Sequence, residues 1–237
     1  MLFFLYLEYK MKSKTTLLLG AISLALASSA QANADHNNHS QPVQQTPHHH
    51  QMMSCCNHQT AEHIAAYNDA MLVMAKDMGQ AYQAVNSDVA FMQGMLAHHI
   101  GAVEMSKVQL KFGKDSSMKA LAQTIIDAQT SEIELMQNWL TANKNQAKAD
   151  PNMPQISANY QQADDKYHTL MMNGMMAENP DVAFAKGMIP HHQGAIAMAD
   201  IVLNTTKDEQ IIKLANAIKA AQQPEIDQME QWLAKQK

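Results

Sequence analysis

The stretch DVAFMQGMLAHHIGAVEM, residues 88–105, returns 93 residues later as DVAFAKGMIPHHQGAIAM, residues 181–198. The similarity continues beyond these stretches, because residues 88–140 align with residues 181–233 without a gap and 24 of the 53 paired positions are identical. Both copies space their apolar residues as amphipathic helices do. A long unit that occurs only twice argues against a solenoid and predicts two helical hairpins related by a pseudo-two-fold axis.

The composition predicts an all-α fold with an aliphatic, methionine-rich core. Hydrophobic residues make up 46% of the chain but aromatic residues only 5%, and 20 of the 237 residues are methionine. Helix formers dominate, and the two hairpins predict a four-helix bundle with additional helices, one of them in the connection over residues 141–180. Asp88 and Asp181 are predicted to cap their helices. The helices are predicted over residues 60–85, 88–112, 116–143, 158–177, 181–204 and 208–236.

The first 34 residues are typical of a secretory signal peptide. A basic KSK segment after Met11 is followed by the apolar segment TTLLLGAISLALA and by small residues up to Ala34. The apolar segment is too short to favour a membrane span. We expect translation to start at Met11, and the mature chain to be exported to a bacterial periplasm without membrane insertion.

A polar tail, residues 35–59, separates this signal peptide from the helical bundle domain predicted over residues 60–237. Its Pro, Gln and Asn content argues against a packed fold. Metal-ligating side chains are concentrated in it, which predicts flexible metal capture; the alternative is a polar leader with chance histidines. These side chains are His36, His39, His48, His49, His50, Met52, Met53, Cys55, Cys56 and His58.

One face of each repeated helix carries histidines among methionines. At 100° per residue, the face falls within an arc of about 140° in both copies. A methionine stripe alone is more typical of core packing, but a histidine pair on that face in both copies favours a metal site. The first copy contributes Met92, Met95, His98, His99 and Met105, and the second Met188, His191, His192 and Met198, with Ala185 in place of Met92.

The second helix of each hairpin places polar residues on its apolar face. A buried amide or carboxylate without a partner costs about 2 kcal/mol or more, so the histidines of the neighbouring helix are the expected partners. The glutamates then either bind metal directly or orient histidine ligands, and the alternative is a structural Glu–His hydrogen bond without metal. The residues are Gln129, Glu132 and Met136 in one copy and Gln222, Glu225 and Met229 in the other.

The candidate ligands indicate which metal such a site would bind. Thioether sulfur is soft and selects Cu(I), so Cu(I) is favoured over Cu(II), and zinc, bound through His and Glu alone, is less favoured. A di-iron bundle would use Glu-x-x-His motifs, and the chain has none. Further soft side chains are present at Met71, Met74 and Met78 and in MMNGMM, residues 171–176. The spacing of Met71, Met74 and Met78 fits core packing and metal ligation equally well.

The two HH-x-GA-x-x-M stretches and the later AQTSEIELMQNWL and AAQQPEIDQMEQWL resemble the bacterial family named domain of unknown function 305, over about residues 65–237. The resemblance implies a ferritin-like bundle and kinship with periplasmic copper-binding proteins that serve copper tolerance. Ala97 departs from the pattern where the second copy has Pro190, so the two sites are expected to differ in geometry. The implied metal ligands are Met95, His98, His99, Met105, Met188, His191, His192 and Met198.

The sequence therefore predicts a periplasmic protein that sequesters or carries copper and is not an enzyme. Its partners would be copper ions and other periplasmic copper-handling proteins. A net charge of −5 gives no basic surface for nucleic acid, and no nucleophile motif or phosphate-binding glycine loop occurs. Two alternatives stay open at this point: a bundle oxidase with a His/Glu metal centre, and a helical interaction module whose buried His–Glu pairs are structural.

Overall fold

The computed structural model describes residues 61–236, which belong to one compact unit, Ser54–Lys237. The predicted signal peptide and the polar tail lie outside the described residues. Six α-helices and one short 3-10 helix, Lys144–Gln146, account for most of the described part, which contains no strand, so the all-α prediction is confirmed. The α-helices are α1 Glu62–Ala81, α2 Ser87–Phe112, α3 Ser116–Asn143, α4 Met153–Met175, α5 Pro180–Leu203 and α6 Glu209–Leu233.

The helix starts differ from the prediction for local reasons. Asn86 and Asn179 cap α2 and α5, each accepting a hydrogen bond from a backbone N–H of the first turn, so the prediction that Asp88 and Asp181 are the caps is wrong. An Asn at this position satisfies an N–H group that has no partner within the helix. Helix α4 begins at Met153, five residues before its predicted start, because Pro154 occupies the first turn, where its missing N–H costs nothing.

The two helices with the histidine pairs form the centre of the molecule. Helices α1 and α3 pack on α2, helices α4 and α6 pack on α5, and α2 and α5 pack against each other. Neighbours on several sides bury α2 and α5 around most of their circumference, as expected of central helices. No helix among residues 61–236 has the length and apolar character of a membrane span.

The structural repeat is longer than the sequence repeat. Helix α1 packs on α2 as α4 packs on α5, so each half of the molecule has three helices. Tyr67 and Tyr160 are both fully buried, and Met78 and Met171 are almost fully buried. The members of each pair are 93 residues apart, as are the histidine pairs. Helix α1 therefore belongs to the repeat, while the ferritin-like arrangement of two hairpins stays a prediction.

Reciprocal contacts join the two halves at their ends. Trp139 donates a hydrogen bond from Nε1 to Oδ2 of Asp208, 3.1 Å away, and Asp208 caps α6. Trp232, 93 residues after Trp139, interacts in turn with Asp115, which caps α3. Each half thus anchors its last helix on the capping residue of the other half's last helix.

Candidate metal centre

The first histidines of the two pairs face each other between α2 and α5. The ring centroids of His98 and His191 are 3.7 Å apart, and the ring planes are inclined by 41°. The two residues are buried, with 4% and 1% of their surface exposed. Since the pair is formed by one residue from each half, the repeat builds one shared centre on its pseudo-two-fold axis.

Several ring nitrogens in this centre have no hydrogen-bond partner among the described residues. Neither Nδ1 nor Nε2 of His191 makes a hydrogen bond of good geometry, although the backbone of His98 is near enough to raise the pKa of this ring, and the Nδ1 atoms of His98, His99 and His192 have no partner within residues 61–236. A buried polar atom without a partner costs about 1–3 kcal/mol, and most such atoms in native proteins are satisfied. The unpartnered nitrogens therefore indicate a place where an additional atom would bind.

The protonation of the facing pair suits metal binding. Burial lowers the pKa of His98 and of His191 well below the usual value, and the neighbouring histidines of the cluster lower it further. Both rings are therefore neutral near pH 7. A neutral imidazole has a lone pair to donate, whereas an imidazolium has none.

The second histidine of each pair is held by a glutamate of the adjacent helix. Nε2 of His99 lies 2.6 Å from Oε2 of Glu132, and Nε2 of His192 lies 2.7 Å from Oε2 of Glu225. The prediction that these carboxylates find histidine partners is confirmed. A carboxylate that binds one ring nitrogen orients the ring and makes the other nitrogen a better metal ligand. The hydrogen bonds favour this orienting role over direct coordination by the glutamates.

The amides on the same helices behave differently. Gln129 and Gln222 are buried, as predicted, yet Oε1 of Gln129 and both amide atoms of Gln222 have no hydrogen-bond partner among the described residues. The prediction that the histidines would satisfy these amides is wrong. The glutamates one turn further along α3 and α6 bind the histidines instead.

A small cavity lies beside the facing histidines. Its volume of about 10 Å³ is close to what one water molecule or one small ion requires. Two imidazoles and four thioethers line it, and helix α4 adds a carboxylate, a phenol ring and a third imidazole. The lining residues are Met74, Met78, His98, Asp164, Tyr167, His168, Met171, His191, Gly194 and Met198.

Only some of the predicted ligands meet at this cavity. His98, His191 and Met198 line it, whereas the remaining predicted methionines are buried without lining it. These others include Met105, whose methyl group lies against Gly187 where α2 and α5 cross, a packing role. The buried methionines away from the cavity are Met92, Met95, Met105, Met136, Met188 and Met229.

Part of the lining was not predicted from the sequence. Met78 was weighed evenly between core and ligand, Met171 was named only as a further soft side chain, and no role was predicted for Asp164, Tyr167 and His168. The first two could have been recognised, because they are 93 residues apart, as are His98 and His191. The three α4 residues break the repeat and left no comparable signal.

The side-chain donors at the cavity include both nitrogen and sulfur. Within residues 61–236, no group of three or more His, Cys, Asp and Glu side chains is placed to hold a metal ion. Thioether sulfur is the other soft side-chain donor that lines the cavity. Two imidazoles with thioethers form a soft donor set.

A family model matches most of this helical region. The model described as domain of unknown function 305 matches residues 88–180 and 181–237, one match for each histidine pair. The chain belongs to this family. A curated protein similar to this chain is uncharacterized protein L153 of Acanthamoeba polyphaga mimivirus, 44% identical over 57 residues, which are 24% of this chain and 38% of that protein. The chain thus spans well under half the length of this curated relative.

Similar solved structures are forms of the protein CopM. The Cu(I)-bound form is 28% identical with a TM-score of 0.47, and the match covers 62% of this chain and 94% of that one. The silver-bound form obtained by soaking is 29% identical with the same score, covering 62% and 93%. The apo form is 30% identical, also at 0.47, covering 62% and 95%.

Proposed function

We propose that this protein binds Cu(I) at the cavity between α2 and α5 and sequesters or carries it in the periplasm. The single observation that supports the proposal most directly is the environment of His191. Its ring is 1% exposed, neither nitrogen makes a hydrogen bond of good geometry to the residues that the structure describes, and it faces His98 beside a cavity lined by thioethers. A soft cation in the cavity would satisfy these nitrogens.

The donor set supports a monovalent soft ion. Imidazole binds copper in either oxidation state, whereas the thioethers of Met78, Met171 and Met198 favour Cu(I) over Cu(II) and over zinc. The two-fold related donors are His98 with His191 and Met78 with Met171, a set of two nitrogens and two sulfurs. Ag(I) has the same charge and similar softness, so it serves as a redox-inert probe of the same centre.

The test is competition for Ag(I) or anaerobic Cu(I) between the mature chain and a chromophoric chelator. Replacing His98 and His191 by Leu should abolish one tight site while the far-UV circular dichroism stays unchanged. His63→Gln is the control, because His63 is also buried but its Nε2 donates a hydrogen bond to the carbonyl oxygen of Ala177, 3.0 Å away, outside the cluster. Equal stoichiometry and affinity in wild type and double variant would refute the site.

The polar tail is proposed to add further copper sites. Deleting residues 35–58 should lower the number of bound ions without changing the helix content, because the tail ligands lie outside the helical region. An unchanged stoichiometry would leave the tail without a role in binding. Fractionation of cells that express the full chain tests the periplasmic location, and a mature N-terminus near residue 35 is expected.

We also propose that the bound ion is cargo and that the protein is not an enzyme. The buried cavity of about 10 Å³ has room for one small ion but not for an organic substrate beside it. Oxygen consumption by the Cu(I)-loaded protein separates the two functions. No turnover above that of free Cu(I) is expected, and sustained turnover would favour the oxidase alternative.

A further inference from the structure

The cavity is lined by two chemically different sets of residues. Toward α2 and α5 the lining consists of buried imidazoles and thioethers, whereas α4 contributes Asp164, Tyr167 and His168. Asp164 and His168 are four residues apart, so their side chains lie on the same face of α4. Both are only half-buried, and the two interact electrostatically. They therefore connect the cavity with the surface of the protein.

The repeat shows that packing does not require these polar residues. The positions 93 residues earlier hold Met71 and Ala75, and neither of them lines the cavity. The first half of the molecule thus packs its outer helix with a thioether and a methyl group where the second half has a carboxylate and an imidazole. The polar pair breaks the pseudo-symmetry on one side only.

Tyr167 lines the same cavity and packs against α5. Its Cβ lies against Gly194 of α5, close to where Nε2 of His98 also approaches that glycine. Its hydroxyl accepts a hydrogen bond from Lys166 at the exposed side of α4, 3.3 Å away. The fully buried His191, with both nitrogens unpartnered, lines the same cavity from the inside. One cavity therefore joins a half-exposed pair of borderline donors to a buried soft centre.

Ligand chemistry gives the two sets different tasks. A carboxylate and an imidazole bind a soft monovalent ion weakly, and at a half-exposed position they exchange it with solvent. Thioethers and imidazoles in a buried centre hold the ion more firmly. A negative charge at the mouth of a cavity also raises the local concentration of cations and their rate of entry.

We propose that Asp164 and His168 form an entry site that captures a monovalent soft cation and passes it to the buried centre at His98 and His191. This inference rests on the proposed function, because it describes how the same cavity is loaded. The pair is a positioning and transfer device, and the resident ligands of the ion are those of the centre. The predicted signature is kinetic, since a group on the path changes the rates of entry and exit together.

The experiment is stopped-flow transfer of Ag(I) from a chromophoric chelator to the full mature chain. In the double variant D164N/H168Q, the association rate for the slow, tight class of sites should fall about tenfold. The dissociation rate should fall in similar proportion, so that the affinity changes by less than about threefold. Asp165→Asn is the matched control, because this substitution removes the same charge from the same helix. Asp165 is exposed and does not line the cavity.

Three results would overturn the entry site, and they separate it from the proposed function. Unchanged rates with tight binding intact would refute the entry site and leave the function standing. A loss of affinity with an unchanged association rate would make the pair resident ligands. Absence of tight Ag(I) binding in the wild type would refute both. If the double variant fails to fold, His168→Gln alone, at a half-buried position, gives the same test with a smaller expected change.

Discussion

The features that suit His191 to bind a metal ion also lower the stability of the protein without the ion. Its imidazole is almost completely buried, yet neither nitrogen has a hydrogen-bond partner among the described residues. Burial of a ring nitrogen without a hydrogen bond to the protein costs free energy. His63, also buried, does have a partner at the carbonyl of Ala177. The same substitution can therefore be compared at a buried histidine with a hydrogen-bond partner and at one without.

Replacing His191 by Leu should stabilise the metal-free protein. The substitution removes two unpartnered buried nitrogens and keeps a similar volume, so the free energy of unfolding should rise by about 1–2 kcal/mol. His63→Leu should lower it by about 1 kcal/mol, since the carbonyl of Ala177 loses its partner. Urea unfolding with a metal chelator present measures both. A loss of stability in both variants would mean that the ring of His191 has a structural role.

The glutamates that hold His99 and His192 should affect affinity more than stability. Replacing Glu132 or Glu225 by Gln keeps the side-chain size but weakens the bond to the ring nitrogen. Loss of such an orienting carboxylate typically lowers metal affinity about 10–100-fold. Competition for Ag(I) measures the effect in each half. Equal affinity in all three proteins would show that these histidines do not contribute to the bound ion's site.

At the scale of the helices, close approach between α4 and α5 depends on one glycine. A methyl group at Gly174 would lie 2.3 Å from the backbone oxygen of Lys186, a contact that no side-chain rotation relieves. At Gly79, near the end of α1, a methyl group would have no atom within 4 Å. Since α4 carries Met171 and the entry site, its distance from α5 sets the width of the cavity.

The two glycines predict opposite effects of the same substitution. Gly174→Ala should destabilise the protein by about 1–3 kcal/mol, because α4 must shift away from α5. Gly79→Ala should stabilise it by up to about 1 kcal/mol, since alanine has the higher helix propensity. Thermal unfolding of both variants against wild type measures the contrast. Equal effects would show that helix propensity, and not helix packing, governs position 174.

The helices themselves were largely predictable, but their partners were not. Periodicity and the 93-residue repeat located α2, α3, α5 and α6, because these properties are local or compare the chain with itself. Which face of a central helix meets which neighbour depends on packing, and a helix buried on most sides gives no single apolar stripe to identify it. The facing of His98 with His191 was therefore left open, although both residues were identified as candidate ligands.

The residues that line the cavity from α4 could not be predicted for the same reason, because their position depends on helix packing. Met78 and Met171 are related by the repeat offset, but α1 and α4 differ so much in sequence that their equivalence appears only in three dimensions. Asp164 and His168 have no counterpart in the first half. A carboxylate four residues before a histidine on a helix is ordinarily a solvated pair, and only the position of α4 places this pair beside a buried centre.

For the molecule as a whole, the pseudo-two-fold axis places like residues against like. The reciprocal interactions of Trp139 with Asp208 and of Trp232 with Asp115 suit this symmetry, since each pairs unlike groups from the two halves. At the centre, however, the symmetry places two imidazoles in contact. Two neutral rings tolerate this contact, but two imidazolium ions would repel each other. The stability of the metal-free protein is therefore linked to the protonation of His98 and His191.

The metal-free protein should lose stability as the pH falls below about 6.5, the ordinary histidine value that the unfolded chain retains. Burial lowers the pKa of His98 and of His191 in the folded protein, so between the two values only the unfolded chain takes up the protons, and unfolding is favoured. The raised pKa values of Asp88 and Asp164 act in the opposite direction at lower pH. Their contribution is common to wild type and the H98L/H191L variant, so the difference between these proteins isolates the histidines. Urea midpoints at pH 7.5, 6.5 and 5.5 should therefore fall more steeply for wild type, and parallel curves would contradict the buried, neutral state of the facing pair.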